Sequence, residues 1–258
     1  MNVLRSTCCL AAVLLFIAAG CAERIDSFEE YLELAWRYER EGDQQQAIAA
    51  YQQALKYEPT QPIAWYDLGV LYEATGQQEL ALNAWTQAIT HNPNYSEALV
   101  NRGTLLGQQG KNELALDDFS KAIELAPAEF APRRNRADLH RELNQTDAAL
   151  ADYAEALRIN PRDAETWSER GKLRMDQNDW DRARWDFEQA TELDSRDALA
   201  WHNLSTVLTR LGKTAEAEAA SRRAVELDPK LAEQLASPAA TTDSVVAAGD
   251  SRNSAPAP

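Results

Sequence analysis

Shifting the sequence by 34 positions brings the same small, apolar and chain-breaking residues back six times, without insertion. The copies span residues 28–61, 62–95, 96–129, 130–163, 164–197 and 198–231. Position 20 of every copy is alanine (Ala47, Ala81, Ala115, Ala149, Ala183, Ala217), and so is position 27 (Ala54, Ala88, Ala122, Ala156, Ala190, Ala224). Position 8 is always small: Ala35, Gly69, Gly103, Ala137, Gly171, Ser205. Short side chains let helices approach closely, so these positions predict the contact between two helices within a copy. Position 15 is Gly or Asn (Gly42, Gly76, Gly110, Asn144, Asn178, Gly212), the residues that accept left-handed backbone at a helix C-cap. Position 32 is proline in five copies (Pro59, Pro93, Pro127, Pro161, Pro229) and Ser195 in the fifth, which ends the second helix. One helix pair cannot bury its own apolar face, so the copies must stack on one another. The expected fold is all-α.

The WYDLG run of residues 65–69, with Ala81, Trp85, Ala88 and Pro93, resembles the tetratricopeptide repeat family. The resemblance covers residues 28–231 and implies a right-handed superhelical solenoid of six helix-turn-helix units. Arg133 and His140 stand where that family prefers aromatics, and Arg174 and Arg184 occupy usually apolar places. The resemblance also implies that first helices line a concave face, where ligands meet positions 2, 5, 9, 12 and 13. In the first three copies these positions supply an apolar and aromatic strip: Leu32, Trp36, Ile63, Tyr66, Val70 and Val100. In the last three they are mostly charged or polar, among them Arg134, Asp138, Arg141, Glu165 and Lys172. The strip is a candidate groove for a protein or peptide partner, with Trp and Tyr as anchors. The competing expectation is that curvature, or the linker at residues 23–27, covers it. Relatives that clamp a C-terminal carboxylate use Lys and Asn at set places. Here those places hold Leu32, Trp36 and Asp67, or Val100, Thr104 and Asn135.

Two positions switch together. Position 7 is Leu34, Leu68 and Leu204 where position 23 is Ala50, Ala84 and Ala220. Position 7 is Arg102, Arg136 and Arg170 where position 23 is Asp118, Asp152 and Asp186. The charge matching predicts a partly buried ion pair joining the two helices of the third, fourth and fifth copies. Common descent of those copies without contact is the other explanation.

Residues 1–20 read as a secretory signal, with Arg5 ahead of an apolar run too short to span a bilayer comfortably. The run ends in Ala18, Ala19, Gly20 and Cys21, which resembles a bacterial lipobox and makes Cys21 the expected acylation (palmitate) site. An ordinary cleavage site and an uncleaved anchor are the alternatives. Cys8 and Cys9 would leave with the signal, so no disulfide is expected in the mature chain. Residues 21–27 form a short lipidated linker, residues 232–236 a short capping turn, and residues 237–258 a Ser/Ala/Thr/Pro-rich tail expected to be disordered. The expected location is the bacterial cell envelope, lipid-anchored in the outer membrane and facing the periplasm.

A net charge of −15 argues against nucleic acid, which needs a basic face. His91, His140 and His202 are isolated, and no metal-ligand or phosphate-loop spacing occurs. The carboxylates read as solvated, with no pair marked for a raised pKa. No cofactor, metal site or catalysis is therefore expected. The functional expectation is a non-enzymatic, membrane-tethered interaction adaptor, pilotin-like or serving cell-wall enzymes. The alternative is an assembly chaperone for an outer-membrane or secretion-system subunit.

Overall fold

The computed structural model describes residues 27–231. The signal at residues 1–20, Cys21, nearly all of the 21–27 linker, the capping turn and the tail lie outside the described residues. Twelve α-helices make up the described chain: α1 (Phe28–Glu41), α2 (Gln44–Tyr57), α3 (Pro62–Ala74), α4 (Gln78–His91), α5 (Ser96–Gln108), α6 (Asn112–Leu125), α7 (Ala131–Glu142), α8 (Thr146–Ile159), α9 (Ala164–Asp176), α10 (Trp180–Leu193), α11 (Ala198–Arg210) and α12 (Thr214–Leu227). They pair as six hairpins, one per repeat, in two compact units that divide between Pro127 and Ala128. In each unit three hairpins stack in sequence order.

The breaks fall where the backbone chemistry requires them. Position 15 has positive φ in all six copies, from 57° at Asn144 to 77° at Gly42. The backbone N–H groups of this residue and the next return to carbonyls of the last turn, as Gly42 does to Glu39 and Asp43 to Tyr38. Ser27, Asp43, Asp163, Asp179 and Asp197 cap the following helices with their side chains. The fourth copy differs at its start. Phe130, read from sequence as its first residue, is the N-cap, and the helix begins at Ala131.

The alanines at positions 20 and 27 are buried throughout. In the second, third and fifth repeats the aromatic at position 24 lies on the glycine at position 8. A Cβ added at Gly69 would stand 2.5 Å from Trp85 Nε1; at Gly103 and Gly171 it would stand 3.0 Å from the rings of Phe119 and Phe187. Position 4 ties neighbouring repeats together. The indoles of Trp65, Trp167 and Trp201 donate to the carbonyls of Pro59, Pro161 and Ser195. Arg133, at the same position, donates to Glu129 O, so a cationic donor replaces the indole where the repeat pattern departs.

Position 7 meets position 23 in all three charged repeats. Arg102 Nε and Nη2 donate to Asp118 Oδ2 and Oδ1 at 2.8 and 2.7 Å. Arg136 grips Asp152 in the same two-pronged way at 2.7 Å. Arg170 does so with Asp186 at 3.1 and 2.8 Å, and its guanidinium lies over the Trp167 ring. Asp186 is fully buried and also accepts from Arg174 at 2.8 Å. Arg174, unusual for its place, thus supplies a second cation to a carboxylate with no water to share. The sibling repeats fill these places with Leu68 and Ala84, or Leu204 and Ala220, all buried.

Candidate functional site

The residues of the strip read from the sequence lie on α1, α3 and α5 and differ in exposure, and one of them is corrected. Leu32 is only 8% exposed and belongs to the core of the first unit. With Phe28 and Ala35 it forms the i, i+4, i+7 stripe by which α1 packs inward. Trp36, Ile63 and Val70 are exposed, at 40%, 43% and 36%. Tyr66 and Val100 are half-buried. The Tyr66 hydroxyl accepts from Asn101 Nδ2 at 3.3 Å, and its ring lies 4.9 Å from that of Tyr95. Burial, with Asp67 next, pushes the Tyr95 phenol up to about 12.

Beside this strip sits a cluster that the sequence reading did not single out. The Tyr51 hydroxyl lies 3.0 Å from Glu39 Oε2 and 3.1 Å from Asp67 Oδ2. Trp36 Nε1 donates to the same Asp67 oxygen at 3.3 Å. A phenol has one hydrogen to give, so it cannot donate to both carboxylates at once. Burial raises the pKa of Asp67 above the ordinary carboxylate range, against the lowering effect of its hydrogen bonds from Trp36 and Tyr51. Burial also raises Glu39, and Asp67 adds to that rise. Among the described residues neither carboxylate forms an ion pair with Lys or Arg. The expectation that no carboxylate pair has a raised pKa is therefore corrected. A signal was present: position 6 is polar in every copy (Glu33, Asp67, Asn101, Asn135, Glu169, Asn203), and Tyr51 places a hydroxyl where Phe119 and Phe187 carry bare rings.

The second unit has charged groups at the corresponding places, and they form ion pairs with one another, although the Nε groups of Arg134 and Arg141 are buried without a hydrogen-bond partner. Arg134 pairs with Glu165 at 2.7 Å and lies 3.7 Å from Asp163. Lys172 pairs with Glu169 at 2.7 Å, and Arg141 lies 3.7 Å from the same carboxylate. The Tyr153 hydroxyl donates to Asp138. Two pockets lie away from the strip. One of about 370 Å³ in the first unit is lined by Leu55, Trp65, Leu68, Tyr72 and Leu80 and shares no residue with the strip. One of about 570 Å³ in the second unit lies against Arg141, Thr146, Lys172 and Met175. Among the described residues no His/Cys/Asp/Glu group could hold a metal ion, and no helix is long and apolar enough to cross a membrane.

Family models described as tetratricopeptide repeat match residues 62–95, 96–128 and 168–232, and one described as TPR repeat matches residues 37–76 and 137–176. No curated protein matches the chain. Among solved structures, Pseudomonas aeruginosa pilF is similar at 19% identity and a TM-score of 0.69, over 78% of this chain and 92% of that one. YrrB, described as a TPR protein with an unusual peptide-binding site, is similar at 20% identity and a TM-score of 0.61, over 72% and 96%. A tetratricopeptide repeat protein from Parabacteroides merdae is similar at 21% identity and 0.64, over 81% and 87%. At these identities the likeness shows the fold.

Proposed function

We propose a function from one premise: the chain belongs to the tetratricopeptide repeat family. It is a non-enzymatic protein-interaction adaptor that takes a protein or peptide partner on the α1/α3/α5 face of its first unit. The observation that carries this reading is the exposure of Trp36, Ile63 and Val70 on neighbouring helices, with half-buried Tyr66 between them. Large apolar side chains grouped on one face are a cost in water that a partner removes, and Trp and Tyr dominate such contacts. In the second unit Arg134, Arg141, Glu165 and Lys172, at equivalent places, form ion pairs instead. Acylation at Cys21 would tether the adaptor to the envelope membrane from the periplasmic side, the setting in which pilotin-like factors and adaptors of cell-wall enzymes work.

A photo-crosslinking residue placed at Ile63 in living cells tests the reading, with Leu114, also exposed in the first unit, as the control position. Ile63 should yield a discrete crosslinked product that disappears with Trp36→Ala plus Tyr66→Ala and persists with Arg134→Ala plus Lys172→Ala. Equal products from Ile63 and Leu114, or equal losses from both double variants, would overturn it. Circular dichroism must stay unchanged, because Trp36 also bonds Asp67.

A further inference from the structure

The two units carry the same four-point cluster in different charge states. In the first it consists of Trp36, Glu39 and Tyr51 at positions 9, 12 and 24, and Asp67 at position 6 of the next repeat. In the second the same positions hold Asp138, Arg141, Tyr153 and Glu169. There the tyrosine hydroxyl donates to Asp138 and neighbours the Arg141 guanidinium, which faces Glu169 at 3.7 Å. Arg141 is thus the cation that completes the second cluster. At its place the first cluster has Glu39, which faces Asp67 across a single phenolic hydrogen.

From this comparison we infer that the first unit's face takes a partner segment in which an arginine or lysine adjoins an apolar side chain. The partner's cation enters between Glu39 and Asp67, where Arg141 stands in the second unit, and its apolar neighbour packs on Trp36, Ile63 and Val70. Three features support this occupant over an uncharged or acidic one. The carboxylates lie directly beside the exposed indole, so one segment can reach both. Two carboxylates, Glu39 and Asp67, meet around the Tyr51 hydroxyl, and neither is paired with a Lys or Arg among the described residues. The chain carries a net charge of −15, which favours encounter with a basic partner and repels an acidic one. Arginine fits better than lysine, because a planar fork can address two carboxylates at once. The inference rests on the proposed function and adds the chemistry of the partner.

The test is a selection of random displayed dodecapeptides on the full chain, followed by affinity measurements of those recovered against three variants. Glu39→Gln with Asp67→Asn removes the charge but keeps the shape. Glu39→Arg installs the second unit's own cation. Trp36→Ala removes the apolar anchor. Peptides with Arg or Lys next to an aromatic or aliphatic residue should dominate. Their affinity should fall roughly tenfold or more with the charge-neutral pair, and be lost with Glu39→Arg. Glu39→Arg should also raise the melting temperature, which separates a filled site from a damaged fold. Peptides that depend on Trp36 but ignore the charge-neutral pair would overturn the basic-partner inference and leave the adaptor reading standing. Peptides indifferent to Trp36 as well, or no recovered peptides, would overturn both.

Discussion

Removing the Arg102–Asp118 pair one partner at a time measures what the ion pairs contribute. The pair is two-pronged and partly buried, with side-chain exposures of 22% for Arg102 and 7% for Asp118. Breaking a fully buried pair costs about 3–5 kcal/mol, and an exposed pair is worth about 0–1 kcal/mol. Arg102→Leu strands the more buried charge, so its cost should be the larger, about 2.5 kcal/mol. Asp118→Ala leaves a guanidinium that still bonds Thr86 Oγ1 and reaches water, so its cost should be about 1.5 kcal/mol. The double variant recreates the Leu68/Ala84 combination of the preceding repeat, both members of which are buried in its core. It should cost only about 1 kcal/mol, a coupling of about 3 kcal/mol. Urea denaturation followed by circular dichroism provides the readout, with unchanged m-values showing that the same unit unfolds each time. A double variant costing about 4 kcal/mol, the plain sum of the two singles, would show that the two charges do not support one another.

Gly69→Ala should cost about 2 kcal/mol, because the new Cβ would lie 2.5 Å from Trp85, whereas Gly103→Ala meets Phe119 at 3.0 Å and should cost about half that; equal costs in urea denaturation would refute the packing argument. Asp67 and Glu39 have raised pKa values, so the folded first unit binds protons more readily than the unfolded chain. Their stabilising contribution is complete below the ordinary carboxylate pKa and is lost as pH rises through the raised values. Melting temperature should accordingly climb as pH falls from neutral toward the carboxylate range, and Asp67→Asn should flatten that climb; an unchanged profile in the variant would count against the cluster. Cys21→Ser should release the protein from membranes without altering its circular dichroism, and a variant that stays membrane-bound after a high-salt wash would exclude the lipid anchor.

The period was legible because close helix approach leaves few choices. Ala47, Ala54 and their counterparts are all buried, and a left-handed backbone favours Gly or Asn at position 15. The ion pairs were legible for a related reason: a charge at a place that sibling repeats keep apolar needs an opposite charge nearby, and Asp118, Asp152 and Asp186 supply it. Leu32 was misplaced because positions carried over from a family take no account of the phase of one helix. Phe28, Leu32 and Ala35 set the inward stripe of α1, and Trp36 lies one residue beyond it. The Glu39–Tyr51–Asp67 cluster was hidden because its members lie on three helices. Each alone reads as an ordinary helix residue, and only stacking α1 and α2 on α3 brings them around one hydroxyl.

The repeat register fixes backbone positions but leaves the polar places at repeat junctions free to be completed or left open. In the second unit Arg141 and Lys172 complete the Glu169 site from within, so that face gains little from an added cation. In the first, Glu39 takes the place Arg141 holds, and two carboxylates face one hydroxyl. An internally neutralised site is satisfied before any partner arrives, whereas a site short of a cation gains most from a partner that brings one. Exposed Trp36 lies against the open site, so the charge deficit and the apolar anchor occupy one patch. Because the two states differ mainly at positions 9 and 12, Trp36 and Glu39 against Asp138 and Arg141, the choice of partner chemistry can change at two side chains without disturbing the alanine and glycine contacts that hold the hairpins together.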